Sequence, residues 1–439
     1  GLTATASDTW SVLSSANVTV SVDRTRQLGT SRLSLGATME RDSLNPWGDA
    51  TAVATAQTLL DGAITFQNQH IYGWGGTNVE PSPGVYDFSK LDTRISTMLA
   101  RANARPVITL AGAPDWMTAQ GTNTSNYKLD DYAPTPQHYD DFSDLARRIA
   151  VRYSSPGSAH PVLYYQVWNE LKGLWSPSLN NWDYPGYTAL YNKVYDALKS
   201  VNPAIQVGGP YLVVEGTGAA QDLGVPLNWT TVNPISDRNK VFLEYWLANK
   251  HGADFICIDR GIPDAHDTNT YTNDQKFKLV HWFGDVVRQV RGLNGYGGQP
   301  IWYSEGFAFA DNTVPGVQRA AEAAAIRSDL LAGTDVLLKW QDDGTYTIPG
   351  PTTVTGLYMN TLYAGGGQPY PAYTSYKLFH DDFPPGTAVY QSTSSSTGVE
   401  AIASASRTLL INETNSTLTV SVNGALVTLA PYDVRDVAA

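Results

Sequence analysis

Pro161-Val-Leu-Tyr-Tyr-Gln-Val-Trp-Asn-Glu170 is a short apolar and aromatic run that ends abruptly on two polar residues. A run of this length without alternation fits a strand buried on both faces. Asn169 and Glu170 then stand where a buried strand does not tolerate polar groups without partners. An α/β barrel places its catalytic groups at the C-terminal ends of its parallel strands, and this stretch ends in that way. Gln299-Pro-Ile-Trp-Tyr-Ser-Glu305 repeats the pattern, an apolar strand finishing on a glutamate.

Working outward, a strand–loop–helix repeat runs from about residue 31 to residue 383. Its strands are read at Arg32–Gly36, Ala63–Tyr72, Pro106–Ala111, Pro161–Glu170, Ile205–Tyr211, Phe255–Ile258, Ile301–Ser304 and Asp335–Trp340. Amphipathic stretches lie between them, among them Ser89–Asn103, Pro136–Tyr153 and one long helix over Asn273–Gly292. Eight strands alternating with helices predict an α/β fold, a (β/α)8 TIM barrel, over residues 31–383. Past Phe383-Pro-Pro385 the helical period vanishes, and short alternating strands with Asn-Gly turns fill residues 384–439. Ala16-Asn-Val-Thr-Val-Ser-Val22 alternates in the same way. Residues 1–30 are therefore expected to pair with the C-terminal segment and complete a small all-β sandwich. The Ser392–Thr397 tract reads as an exposed loop.

Composition narrows the function. The 439 residues carry a net charge of −12, which argues against nucleic acid or an anionic membrane surface and for a neutral or cationic ligand. No apolar run approaches the roughly 20 residues a membrane span needs. The one cysteine, Cys257, sits in an apolar strand and reads as an inert core residue. The seven histidines show no metal-ligand spacing, so neither a metal nor another cofactor is expected. The chain opens Gly1-Leu-Thr-Ala-Thr-Ala without a charged-then-apolar leader, as expected where a signal peptide is removed or was never present. Sequons at Asn17, Asn123, Asn228, Asn412 and Asn415 favour a secreted, extracellular protein. Nothing in the sequence speaks to the oligomeric state.

Glutamates closing the fourth and seventh strands of a barrel make the pair that hydrolyses glycosidic bonds with retention. Glu170 is the candidate acid/base and Glu305 the candidate nucleophile, with carboxyl groups expected about 5–5.5 Å apart. Asn169 is expected to donate to the sugar hydroxyl beside the anomeric carbon. Sugar rings offer a C–H face to aromatic rings, so Trp74, Trp116, Trp175, Tyr303 and Trp340 are candidate substrate contacts. Glu40, His70, Asp259 and Arg260 are the polar candidates at the first, second and sixth strand ends. By strand alternation Trp168 shares a face with Glu170, whereas Trp302 faces away from Glu305. The loops Leu171–Tyr184 and Tyr211–Arg238 are long enough to wall a pocket and suit exo-action. Endo-action in an open cleft stays open, as does a carbohydrate-binding barrel without catalysis. A serine hydrolase is disfavoured, because no Gly-x-Ser-x-Gly elbow occurs.

Trp168-Asn-Glu170 with the later Glu305 resembles the signature of the clan A glycoside hydrolases. Glu80-Pro-Ser-Pro-Gly-Val-Tyr-Asp-Phe-Ser-Lys-Leu-Asp92, followed by Ala104-Arg-Pro-Val-Ile-Thr-Leu110, is similar to that clan's second-to-third strand region. Within the clan, a barrel joined to a β-sandwich from both chain ends is most similar to glycoside hydrolase family 39, over about residues 30–385. The resemblance implies a retaining mechanism and substrates such as β-xylosides, α-L-iduronides or arabinofuranosides; release of a disaccharide stays open beside release of a single sugar. The segment Thr38–Trp47 departs from the family's sugar-binding pattern.

Overall fold

A computed structural model describes residues 17–39, 43–119, 133–158, 161–214, 234–262, 271–309, 314–344 and 356–439. Eight parallel strands close a barrel in chain order: Ser34–Thr38, Phe66–His70, Arg105–Leu110, Tyr164–Val167, Gln206–Val213, Phe255–Ile262, Ile301–Ala308 and Val336–Lys339. The eighth pairs with the first from Val336↔Ser34 to Lys339↔Ala37, which shuts the ring. Each predicted strand has its counterpart. Helices cover the outside as the periodicity predicts, with one difference. The long helix expected over Asn273–Gly292 is two, Asn273–Val280 and Trp282–Arg291. Ser328 explains the break: its hydroxyl accepts from Gly284 N–H and donates to His281 C=O, so a side chain stands inside the helical ladder.

The barrel interior is layered. Its floor is aromatic, with Phe255 stacked on Trp302 at 3.9 Å between ring centres and Phe66 edge-on to Trp302 at 4.9 Å. Gly208 makes room for that floor, since a Cβ there would lie 2.1 Å from the Phe255 ring. Above it runs a buried polar belt. Asn68 donates to Thr38, Thr109 to Asn68 and Gln166 to Thr109, while Ser304 and Cys257 both donate to Gln166. Burial pushes the Cys257 thiol well above its usual range, consistent with an inert core residue. The strand ends above this belt carry the candidate site.

Strand Val18–Thr30 joins the C-terminal strands as predicted, antiparallel to Ala388–Ser394 and parallel to Leu418–Val422. The result is one seven-stranded sheet. Its residues alternate between two cores: Val20, Val399, Ala401 and Val420 form one of their own, whereas Ile402, Leu409 and Ile411 face the barrel. Ser392, Thr393 and Ser394 belong to a strand in register with Val22, Ser21 and Val20, so that part of the serine-rich tract is paired sheet and not loop. Arg327 ties sheet to barrel, 3.1 Å from Glu400 and donating to the Ala401 carbonyl. Among the described residues no helix is long and apolar enough to cross a membrane.

Asp329, on the helix Pro315–Ala332, is fully buried and accepts one hydrogen bond from Thr334 through Oδ1. Burial pushes its carboxyl up from the ordinary 3.8 to about 8. The folded protein therefore holds a proton that the unfolded chain loses above about pH 4. The stability this gives is present at low pH and is lost as pH rises towards 8. Asp329→Asn should flatten that decline, by up to about 1.4 kcal/mol per pH unit between pH 5 and 8. Parallel wild-type and variant curves in denaturant titrations across that range would rule the effect out.

Candidate active site

Glu305 sits on the seventh strand beside Asp259 of the sixth, and a bulge between Tyr303 and Glu305 sets that pairing. The bulge also explains a misread face. Alternation places Trp302 and Glu305 on opposite sides, but the extra residue inverts the parity. Trp302 points into the barrel floor and Glu305 into the cavity above it. A second bulge, between Pro210 and Leu212, throws Tyr211 inward with φ +58°. The Tyr211 hydroxyl donates to Glu305 Oε1 at 2.5 Å, and the Asn169 amide donates to the same oxygen at 3.3 Å. Burial, and then the charges of Glu305 and Asp259, hold the Tyr211 hydroxyl far above its usual range, so it stays a proton donor.

Pairing of the fourth strand stops at Val167, and Glu170 and Leu171 both take positive φ, +47° and +54°. Strained backbone of this kind clusters at functional sites. The turn separates Trp168 from Glu170, contrary to the alternation. Trp168 is buried against Phe142 of the outer helix Tyr139–Ser154 and donates to Lys172 O, while Glu170 faces the cavity. Carboxylate oxygens of Glu170, Asp259 and Glu305 lie within 4.8 Å of one another. Such a trio would suit a cation, but the Lys172 ammonium, 2.5 Å from Glu170 Oε2, supplies compensating charge.

His70, ending the second strand, is fully buried, and neither ring nitrogen has a hydrogen-bond partner. Burial and then the charge of Lys172 push its pKa down to about 3, so the ring is neutral in ordinary buffers. Its ring centre is 6.3 Å from that of Tyr211. Asn169 Oδ1 is also buried without a partner, so this residue offers a ligand an acceptor beside its amide N–H groups, one of which is held by Glu305.

The other candidates divide. Trp74 and Trp340 meet edge-on at 4.9 Å, with the Lys172 ammonium 5.3 Å from the Trp74 ring centre. Trp175 is 48% exposed on a two-stranded hairpin with Trp182, beneath the Arg238 guanidinium. Tyr303 is not a substrate contact. It points outward, fully buried, with its hydroxyl on Phe283 O, because strand alternation turns it from the cavity. Arg260 is corrected for the same reason: Asp259 faces in, and Arg260 reaches out to the carbonyls of Val214 and Pro234 and over the Trp282 ring. Trp116 donates to Glu80 O and packs edge-on against His138. Glu40 lies outside the described residues, as does most of the loop between Tyr211 and Arg238.

Sequence reading missed Tyr211 and Lys172. Tyr211 was visible only as the residue after Gly208-Gly-Pro210 at a strand end, and Lys172 only as a cation two positions beyond Glu170.

The model of glycosyl hydrolases family 39 matches residues 76–325, a span that contains both Glu170 and Glu305. No curated protein sequence matches the chain. Solved structures share the fold at low identity. A monomeric β-xylosidase from Caulobacter crescentus CB15 is 18% identical with TM-score 0.57, covering 90% of this chain and 76% of that one. A conserved exported protein from Bacteroides fragilis is 11% identical with TM-score 0.67, covering 96% of this chain and 100% of that one. The catalytic domain of xylanase C, of glycoside hydrolase family 30, from Talaromyces cellulolyticus is 12% identical with TM-score 0.57, covering 96% and 97%. With its family model matched over more than half its length and its barrel shared with glycoside hydrolases, the chain belongs to glycosyl hydrolases family 39 and is an O-glycosyl hydrolase.

Proposed function

We propose that the enzyme cleaves its glycosidic bond with retention, Glu170 acting as acid/base and Glu305 as nucleophile. The observation that carries this reading is the carboxylate spacing, with oxygens of the two glutamates within 4.8 Å. Retaining enzymes hold their carboxyl groups about 5–5.5 Å apart, and inverting ones leave about 6.5–9.5 Å for a water. In the first step Glu170 gives its proton to the glycosidic oxygen as the C–O bond breaks, and the Glu305 carboxylate bonds to the anomeric carbon. In the second, water attacks that carbon, Glu170 takes the water's proton, and Glu305 leaves as carboxylate. Tyr211 and Asn169 hold Glu305 in place. His70 and Asn169 Oδ1 suit sugar hydroxyls, which would satisfy their buried polar atoms.

We take the glycone to be neutral, of xyloside or arabinofuranoside type, because three carboxylates in the cavity repel an anionic sugar. Exo-action on a plant or microbial glycan, releasing one sugar or a disaccharide, belongs to the same proposal, because the segment Leu171–Tyr184 that follows Glu170 is long enough to wall a pocket. An extracellular setting is part of the proposal. Asn17 and Asn415 are exposed, although Asn412 is buried with its amide bonded to Ser416 and Ala430 carbonyls. Recovery of the protein inside the producing cells, and not in their medium, would count against it.

Nitrophenyl xyloside, arabinofuranoside and arabinopyranoside, with a glucuronide as the anionic control, test the glycone. Cleavage of the glucuronide alone would reverse the charge argument. Glu305→Gln should fall to background, whereas Glu170→Ala should lose natural substrates far more than activated aryl glycosides and regain turnover with azide. Wild-type rates in either variant would reject that residue's role. Tyr211→Phe removes a hydrogen bond to a charged group, worth about 1.5–3 kcal/mol, and should lower kcat/KM roughly 10- to 150-fold. An unchanged kcat/KM would leave Tyr211 without that function. Endo-action has one observation in its favour, the exposed Trp175 on the loop after Glu170. Under that reading Trp175→Ala raises KM on a polysaccharide and spares aryl glycosides; under exo-action at a closed pocket both stay as they were.

A further inference from the structure

The mechanism above leaves Lys172 unused. Its ammonium lies 2.5 Å from Glu170 Oε2 and 5.3 Å from the Trp74 ring centre, and Trp74 is braced edge-on by Trp340 at 4.9 Å. The side chains of Lys172 and Glu170 are only 23% and 19% exposed, so solvent screens the pair less than it would a surface ion pair. The same glutamate must be protonated for the first chemical step and ionised for the second. We propose that Lys172 is a positioning residue that favours the ionised, proton-accepting form of Glu170, and so promotes hydrolysis of the glycosyl-enzyme at the expense of its formation. The proposal rests on Glu170 being the acid/base.

The other groups around Glu170 explain why a cation is needed there. Asp259 and Glu305, from the sixth and seventh strands, bring carboxylate oxygens within 4.8 Å and favour the protonated form. Tyr211 from the fifth strand and His70 from the second are both neutral. Among the described residues, the charges of Asp259 and Glu305 therefore oppose that of Lys172 in the free enzyme. Esterification of Glu305 removes its charge, which tips the balance at Glu170 towards the nearer Lys172. The reaction itself then switches Glu170 from acid to base, with Lys172 setting where the balance falls.

Lys172→Met and Lys172→Arg test this, with the pH dependence of kcat/KM and kcat measured on whichever aryl glycoside or glycan the wild type cleaves. An opposite charge within about 4–6 Å lowers a carboxylate by about 1–3 units. The alkaline limb of kcat/KM should therefore move up by about one unit or more in Lys172→Met and stay in place in Lys172→Arg. On an activated substrate, whose second step limits, kcat should fall severalfold in Lys172→Met and recover in Lys172→Arg. A limb position does not depend on how much enzyme is folded, so poor folding cannot imitate the shift. An unmoved limb in Lys172→Met, or the same shift in both variants, would overturn the proposal. If Glu170→Ala still behaves as an acid/base variant, that failure touches Lys172 alone; if it does not, the reading of Glu170 fails first.

Discussion

A carboxylate taken out of water needs hydrogen-bond donors, and the site is built around meeting that need at Glu305. Its side chain is nearly inaccessible, and Tyr211 and Asn169 both donate to one of its oxygens. Each of these residues comes from a different strand end, and each depends on an irregularity there. Glu305 follows a bulge, Tyr211 occupies one with φ +58°, and Asn169 precedes the left-handed turn at Glu170. A barrel of unbroken strands would not bring them together. The regular part of the fold supplies a rigid ring, and its deviations supply the chemistry.

Beneath the site, the polar belt from Thr38 through Asn68, Thr109 and Gln166 to Ser304 fastens the strands that carry His70, Glu170 and Glu305. Satisfied networks of this kind in a low-dielectric interior are stiff, which suits a pair of carboxylates whose separation the proposed mechanism relies on. The aromatic floor of Phe66, Phe255 and Trp302 packs the barrel interior beneath this belt. Lys172 sets a positive charge against Glu170 beside the two other carboxylates.

The strand order, the helix positions and the pairing of Val18–Thr30 with the C-terminal sheet were legible, because hydrophobic period and turn residues are local signals. That Glu170 and Glu305 close their strands on one cluster of carboxylates was legible for a related reason: a charged residue closing an apolar run is conspicuous. What could not be read was anything that depends on parity after an irregularity. Trp302 and Trp168 were assigned to the wrong faces by counting in twos across a bulge and a left-handed turn. Tyr303 and Arg260 looked like strand-end candidates until alternation placed them against the helix layer. Tyr211 carries no mark in sequence that separates it from the other aromatic residues near strand ends.

The spacing of Glu170 and Glu305 makes a stereochemical claim that needs no mutant. Proton NMR of the first-formed sugar, recorded within the initial turnovers and before mutarotation, reports its anomeric configuration directly. The account predicts that the product appears with the configuration of the substrate and then equilibrates. A first-formed product of opposite configuration would contradict it, because direct attack by water would then replace the Glu305 ester.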